Sequence, residues 1–363
     1  REYGITSDRD VVAVATSAIR EASNRDTFVD RMHIATGMEV RVLDEAEVNR
    51  LTYLSVYPLL RKDPSLRSKD TIVAEVGGGD TEVLILRRGQ VSGSQTYRLG
   101  SLRLLEMLRG ERVPDSRMAR VLRDNIQREI EQMTHTLALK RRANLLALGG
   151  DARFACEKLA HGRRDGCVTR IGVSAFSRLA DKVISMLPDD IVKTYHLSYP
   201  DAETLGPALM VYAGLARQYS PSFITVGQPT LRDGLLLEMA SRGSWTRDFE
   251  RQVINSAMVI GARYDFDLAH AEQVAALCRD LFEALWEEHL MERREELVLT
   301  VAALLHEVGR FVSSRSHHKH SMYLIQNSDV FGLGARDLQL AGLVARYHRR
   351  AEPRPSHQEY AVL

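Results

Sequence analysis

Residues 71–91 read TIVAEVGGGDTEVLILRRGQV. TIVAEV and TEVLIL have the β-branched and aliphatic composition of strands, RRGQ reads as a turn, and the following VSGSQTYRLG reads as a third strand. Together they predict an antiparallel meander. Glu75, Asp80 and Glu82 crowd the three consecutive glycines. A glycine turn lets backbone N–H groups approach an anion, because no Cβ stands in the way. Carboxylates beside phosphate oxygens repel them, unless a divalent cation lies between or the carboxylates orient a water. The combination points to phosphate with a metal or with an attacking water. A tight hairpin with solvated acids at its rim is the alternative. A strand follows the glycines, so this is neither a P-loop nor a dinucleotide fingerprint.

Upstream, VVAVA at residues 11–15 reads as a buried strand. Helical spacing follows, with Ala18, Ala22, Phe28 and Met32 on one side and Gly37 as its stop. MEVRVL predicts a further short strand, and a helix runs from Asp44 to about Leu60, so the order is that of an α/β layer. Downstream come long polar helices from Ser101 to about Arg142, a strand in ANLLALGG, and a strand–turn–helix over residues 223–240. From about Trp245 only helical periodicity remains, and SRGSW at residues 241–245 marks a domain boundary.

Two further turns resemble the first in chemistry. Gly149–Gly150 ends a strand and opens a helix whose N-terminal N–H groups suit an anion. Thr16–Ser17 ends another strand, with Arg20 one turn in. Capping a helix is the alternative role for those hydroxyls, and a place on the surface is the alternative for Arg20.

Composition bounds the rest. The chain has 363 residues, 44% hydrophobic and 27% charged, with a net charge of +1. That balance gives no global attraction to nucleic acid or to an acidic membrane, so any anion site must be local. Cys156, Cys167 and Cys278 show no metal-ligand spacing, and the expected compartment is the reducing cytoplasm. No apolar run approaches the roughly 18 residues of a membrane span. There is no signal peptide, and the chain opens at Arg1 in mid-pattern, as a fragment would.

VAVATSAIREASNRDTFVDR, EVNRLTYLSV, VAEVGGGDTEVLI, YRLGSLRLLE, LLALGGDARFA and TLRDGLLLE occur in that order. AHAEQVAALCRDLF, AALLHEVGRFVSSRSHHKHSMYLIQNSD and LVARYHRR follow. Together they resemble the exopolyphosphatase/guanosine pentaphosphate phosphohydrolase family over nearly the whole chain. The resemblance implies an α/β fold: an actin-like (ribonuclease H-like) core of two lobes, then an all-α HD-like domain. On that reading residues 1–60 are the remainder of the first lobe, 61–243 the second lobe, and 244–363 an incomplete helical domain. On the same reading, the strand pair carrying the first phosphate loop would precede Arg1 and the last helices would follow Leu363. A homodimer in the cytoplasm is also implied.

The resemblance also assigns roles. Thr16, Ser17, Arg20, Gly77, Gly78, Gly79, Asp80, Gly149 and Gly150 would bind phosphate. Glu82 and Glu75 would be catalytic and would hold Mg²⁺ or another divalent cation. Glu75 stands where the family has aspartate, Asp80 where it has serine and Asp151 where it has threonine. The two added acids weaken phosphate binding unless cations compensate. Val48 occupies the position of the family's general base, a glutamate. Asp44 and Glu47 have the spacing of a capping box, which would commit Glu47 to the helix N-terminus. Adjacent helical residues point about 100° apart, so Glu47 cannot stand in for the residue at 48.

Near the C-terminus, His270, His306–Glu307 and SSRSHHKHS have the residue types of HD-domain metal hydrolases. Glu307 replaces the aspartate of that pattern and no distal aspartate is evident, so no stoichiometric ion is expected between His270, His306 and Glu307. His317, His318, Lys319, His320 and Arg349, with Arg346 and Arg350, form a basic face that would guide a polyanion or serve only as solvated surface. The implied function is release of terminal phosphate from inorganic polyphosphate or guanosine pentaphosphate. The alternative is a catalytically weak sensor that binds polyphosphate or an alarmone nucleotide. Neither reading involves a membrane or sequence-specific nucleic acid.

Overall fold

A computed structural model describes residues 11–110, 115–137, 142–159, 168–240, 246–349, 352–355, 357 and 360. They form two compact units: one gathers the chain up to Val48, Asp70–Val83 and Thr96–Leu231, the other Asn49–Lys69, Leu84–Gln95 and the chain from Arg232 onward. The expected boundary at 241–245 lies outside the described residues.

Six strands form the main sheet: β3 (Thr71–Val76), β4 (Thr81–Arg87), β5 (Gln90–Tyr97), β6 (Asn144–Leu148), β7 (Val168–Ile171) and β8 (Ile224–Gly227), after β1 (Ala13–Ala15) and β2 (Val40–Val42). The sheet order is β5-β4-β3-β6-β8-β7. β3 runs parallel to β6 and β6 to β8, while β7 closes the edge antiparallel to β8. β4 and β5 are joined through Arg88 and Gly89, at φ 51° and 79°. Two left-handed residues are what a type I′ hairpin needs, as the expected meander required.

β6 is buried from Leu145 to Leu148 and β3 from Thr71 to Ala74. Such unbroken apolar runs suit strands covered on both faces. The Tyr199–Tyr219 helix is buried continuously from Leu205 to Ala216, since its sequence is apolar all round.

β1 and β2 pair in parallel as a separate two-stranded sheet. The single helix expected between them is two, Ser17–Arg20 and Arg25–Thr36. The break falls at Ser23 and Asn24, whose side chains favour caps and turns over helix interiors. The expected apolar side is not covered, since no residue of Arg25–Thr36 is buried. Gly37, at φ 73°, ends that helix with its N–H on the His33 carbonyl.

In the second unit the Glu45–Lys62 helix, which enters it at Asn49, brings Tyr53 against Phe331, ring centres 5.4 Å apart, and Phe331 against Phe249 at 5.5 Å. Gly234 lets the helix Leu231–Ala240 reach it, since a Cβ there would lie 2.1 Å from the Leu51 carbonyl oxygen. Among the described residues from 246 onward there is no strand, only helices such as Leu268–Ala284, Arg293–Leu305, His317–Gln326 and Ala335–Arg346. No helix of the described residues is long and apolar enough to cross a membrane.

One contact in the first unit is especially tight. A Cβ on Gly100 would lie 2.2 Å from the Gly79 carbonyl carbon and 2.3 Å from the Gly78 oxygen. Backbone cannot yield as a side-chain tip does, so Gly100→Ala should lower stability by about 1–3 kcal/mol. Gly93→Ala, which meets nothing within 4 Å, should stay within about 0.5 kcal/mol. Urea midpoints of the two variants test the difference.

Candidate active site

β3 and β6 pair with Glu75 opposite Leu148, so Gly77–Gly79 and Gly149–Gly150 leave the sheet side by side at its C-terminal end. In parallel sheets that end is where ligands collect. Gly149 has φ +92°, and a Cβ on it would stand 3.6 Å from Glu75 Cγ and 3.3 Å from the Tyr212 hydroxyl. A Cβ on Gly79 would meet Ser17 Oγ at 3.0 Å. The three turns singled out in the sequence therefore converge within the first unit.

The glycine turn is held from one side. Gly77 N–H donates to the Asp80 carbonyl at 2.8 Å. The N–H groups of Ser101 and Leu102, at the start of the helix Ser101–Gly110, donate to the Gly77 and Gly78 carbonyls, each at 2.9 Å. C=O and N–H point opposite ways across a trans peptide. The Gly78 and Gly79 N–H groups therefore point away from that helix, in the manner of an anion nest.

Asp80 is 2% exposed. One of its oxygens accepts from Arg20 Nη2 at 3.1 Å and the other lies 3.7 Å from Arg103 Nη2. Arg20 also donates to the Leu43 carbonyl, and Arg103 Nε to the Gly79 carbonyl at 2.8 Å. Arg20 is thus committed to Asp80 and Leu43. The acid in the loop is balanced by two guanidiniums, which sequence reasoning had required of unspecified cations.

Glu75 and Glu82 have no such balance. Burial pushes the Glu75 carboxyl up, with Arg153 opposing. Burial, then the neighbouring charges of Glu75 and Asp80, push Glu82 up to about 8. Asp151 is pushed up to about 7 by burial and by Asp201, again opposed by Arg153. Nη1 of Arg153 is buried with no hydrogen-bond partner among the described residues. Beneath the site, Val76 N–H donates to the Tyr212 hydroxyl at 2.9 Å and that hydroxyl donates to the Leu148 carbonyl, tying the ends of β3 and β6.

At the start of Glu45–Lys62, Asp44 N–H donates to Glu47 Oε2 at 3.0 Å and Glu47 N–H to Asp44 Oδ1 at 2.8 Å. Arg41 adds a bond to Glu47 Oε1 at 2.6 Å. Glu47 is a capping residue here, and Val48 beside it is 4% exposed.

Sequence reasoning missed Arg103, Arg153 and Tyr212. Arg103 stood in the quoted YRLGSLRLLE, three residues past Gly100, where a helix start facing the glycines could have flagged it. Arg153 stood in LLALGGDARFA. Tyr212 left no local signal.

In the second unit, one ligand atom each of His270, His306 and Glu307 lie within 4.8 Å of one another. Of the residues expected to guide a polyanion, Lys319 and Arg349 are exposed, His318 and His320 half-buried, and His317 is 6% exposed. Arg346 is half-buried, and Arg350 lies outside the described residues.

The sequence pattern of the Ppx/GppA phosphatase family matches residues 4–243. The chain belongs to that family. The pattern of Ppx/GppA phosphatase domain III matches residues 254–362. Among curated relatives, a guanosine-5'-triphosphate,3'-diphosphate pyrophosphatase of Vibrio parahaemolyticus is 26% identical over 93% of this chain. The same-named protein of Photobacterium profundum is 23% identical over 94%. The chain spans 65% of the length of the first and 67% of the second. Among solved structures, an exopolyphosphatase from Cytophaga hutchinsonii aligns with TM-score 0.57 at 18% identity, over 66% of this chain and 77% of that one. An Aquifex aeolicus member of the Ppx/GppA family aligns with TM-score 0.52 at 18%, over 65% and 76%. These likenesses show the fold, an actin-like α/β core with a helical C-terminal part.

A carboxyl whose folded pKa is raised binds more protons folded than unfolded, so its stabilising effect is lost as pH rises through the folded value. For Glu82 that window runs from its ordinary 4.5 to about 8. The melting temperature of wild type should therefore fall relative to that of Glu82→Gln between pH 5 and pH 8.5. Parallel curves across that range would contradict the burial of this acid.

Proposed function

We propose that this Ppx/GppA-family chain hydrolyses a terminal phosphoanhydride, taking inorganic polyphosphate or guanosine pentaphosphate as substrate. The observation that carries the reading is the convergence of three anion-suited turns on the Glu75–Glu82 pair. The Gly78 and Gly79 N–H groups, with the Thr16 and Ser17 hydroxyls, would hold the terminal phosphate. Arg153 has an unspent donor for the same purpose.

Mg²⁺ fits the carboxylate pair: both are hard oxygen donors, and both are pushed toward neutrality by burial, with Glu82 raised further by the charge of Glu75. Glu75 and Glu82 would hold it, and once bound it would offset charge on the transferred phosphoryl. Val48 cannot take a proton, so the proton of the attacking water falls to Glu82. A base with a pKa near the working pH is well suited to that task. Its ionised form grows as pH rises toward 8, and so should the rate, at lower pH when a cation occupies the pair.

The second reading, a sensor that binds polyphosphate or an alarmone nucleotide with little turnover, is favoured by the alkyl side chain at position 48. Phosphate release from long-chain polyphosphate and from guanosine pentaphosphate by the full-length protein with Mg²⁺ separates the two. Glu82→Gln should lower kcat by about 10²–10⁴ with little change in KM. Val48→Glu should raise kcat, provided its melting curve shows it folded. Tight polyphosphate binding without phosphate release in wild type would establish the sensor instead.

A further inference from the structure

We propose that the second unit carries an anion site of its own, an arginine-lined cavity that takes a short run of linked phosphoryl groups. The cavity encloses about 470 Å³, within the roughly 300–1,000 Å³ of small-molecule sites. Arg61, Arg67, Arg88 and Arg251 line it, together with Tyr57 and Gln90. All six belong to the second unit, whereas the glycine turns, Glu75 and Glu82 belong to the first.

Segments distant in sequence bring the guanidinium groups together. Arg61 is in the last turn of the Glu45–Lys62 helix, and Arg67 is in the short helix Ser65–Ser68. Arg251 lies near the start of Arg247–Arg263. Arg88 stands at the tip of the β4–β5 hairpin at φ 51°, followed by Gly89 at φ 79°. A Cβ on Gly89 would lie 3.1 Å from Arg67 Cγ, so the bare glycine lets the Arg67 stem rest against the tip. Asn, Asp or Gly fills the first left-handed place of such a turn at lower cost than arginine does. Arginine there weakens the turn and adds a guanidinium to the cavity.

The charges around the cavity are unbalanced. Asp248 is its one lining carboxylate among the described residues, and both its oxygens are taken. Oδ1 accepts from Arg251 Nη2 at 2.6 Å and Oδ2 from the Tyr53 hydroxyl at 3.1 Å. Among the described residues, Arg61, Arg67 and Arg88 make no ion pair. Four guanidiniums against one carboxylate leave a net charge of +3. A guanidinium stays charged at any ordinary pH, so loss of a proton cannot relieve the repulsion. An anion held among the four relieves it directly.

The donors select the anion. Guanidinium forks bind phosphate oxygens in bidentate fashion. Linked phosphoryl groups place several negative charges inside one cavity, as carboxylates spread along a peptide do not. Gln252 also lines the cavity and adds an amide NH₂, since its carbonyl oxygen accepts from Val91 N–H at 2.7 Å. The Tyr57 ring, 5.7 Å from that of Tyr53, offers apolar surface to a base where the phosphates belong to a nucleotide. The same guanidinium contacts serve a bare polyphosphate group and a nucleotide's phosphate tail.

The test is calorimetric titration of the full-length protein with tripolyphosphate, in EDTA so that divalent ions are withheld. Arg88→Asn and Arg61→Gln should each weaken one binding event by about tenfold, and together they should abolish it. Asparagine tolerates the left-handed conformation, so ligand-free Arg88→Asn should melt at or above the wild-type temperature. That separates lost binding from lost folding. Arg336→Gln, exposed in the same unit and outside the cavity lining, should bind as wild type does. If the glycine turns also hold phosphate, wild type binds two equivalents and the double variant one. If they do not, the counts are one and none. The loss of one equivalent is thus independent of the catalytic reading. GTP or ATP binding tighter than tripolyphosphate, by a margin lost in Tyr57→Leu, identifies a nucleotide as the source; binding no tighter identifies the bare chain. Equal stoichiometry and affinity in wild type and the double variant, or no binding to wild type, would overturn the proposal.

Discussion

The parallel pairing of β3 with β6 is the constraint on which the candidate site depends. It brings two glycine turns, distant in sequence, to one end of one sheet, and the Tyr212 hydroxyl locks the strand ends by bonding to Val76 on one and Leu148 on the other. Tyr212 can reach both because it lies on a helix buried on all sides against the sheet. Remove that hydroxyl and two backbone groups lose a buried partner at the point where the turns begin. Position in the site is thus set by packing beneath it.

Charge divides the acids around the glycines into two kinds. Asp80 is nearly inaccessible and is met by Arg20 and Arg103, so it is a structural ion whose partners also brace the loop. Among the described residues no ion pair joins a guanidinium to Glu75 or Glu82, and both carry raised pKa values despite the opposing charges of Arg153 and Arg20. Half-buried carboxyls drawn out of water without an ion-pair partner are costly to ionise and persist where a ligand or a proton transfer needs them. The same residue type, a few positions apart, thus has opposite meanings. What separates them is the location of arginines contributed by other segments.

The meander, the parallel strand at 144–148, the strand–turn–helix near 224–240 and the all-helical end were legible because each rests on local signals: β-branched runs, glycine punctuation and helical period. Gly37 as a helix stop and Asp44–Glu47 as a capping pair were legible for the same reason. The break at Ser23–Asn24 was missed because an apolar pattern continued across residues whose side chains disfavour helix. Asp80's pairing with Arg20 spans 60 positions and Tyr212's bond to Val76 spans 136, and no periodicity encodes such distances. Among the histidines, sequence adjacency misled: the SHHKHS run reads as one basic face, yet His317 is buried beside His348 while Lys319 is exposed.

Position 48, where the family resemblance places a general base, lies directly beside a capping residue. The helix needs an acceptor for its first N–H groups, and Glu47 supplies one while Asp44 reciprocates. That geometry fixes Glu47 on the N-terminal rim, held further by Arg41. The next residue points about 100° away, and in this chain it is an alkyl group. A carboxylate one position earlier is therefore no substitute for one at 48, however close in sequence. If the chain activates water, the proton must go to a group already at the strand ends. Two carboxyls there are brought near balance between their protonation states at ordinary pH, Glu82 at about 8 and Asp151 at about 7, and of the two Glu82 comes from a strand that needs no cap.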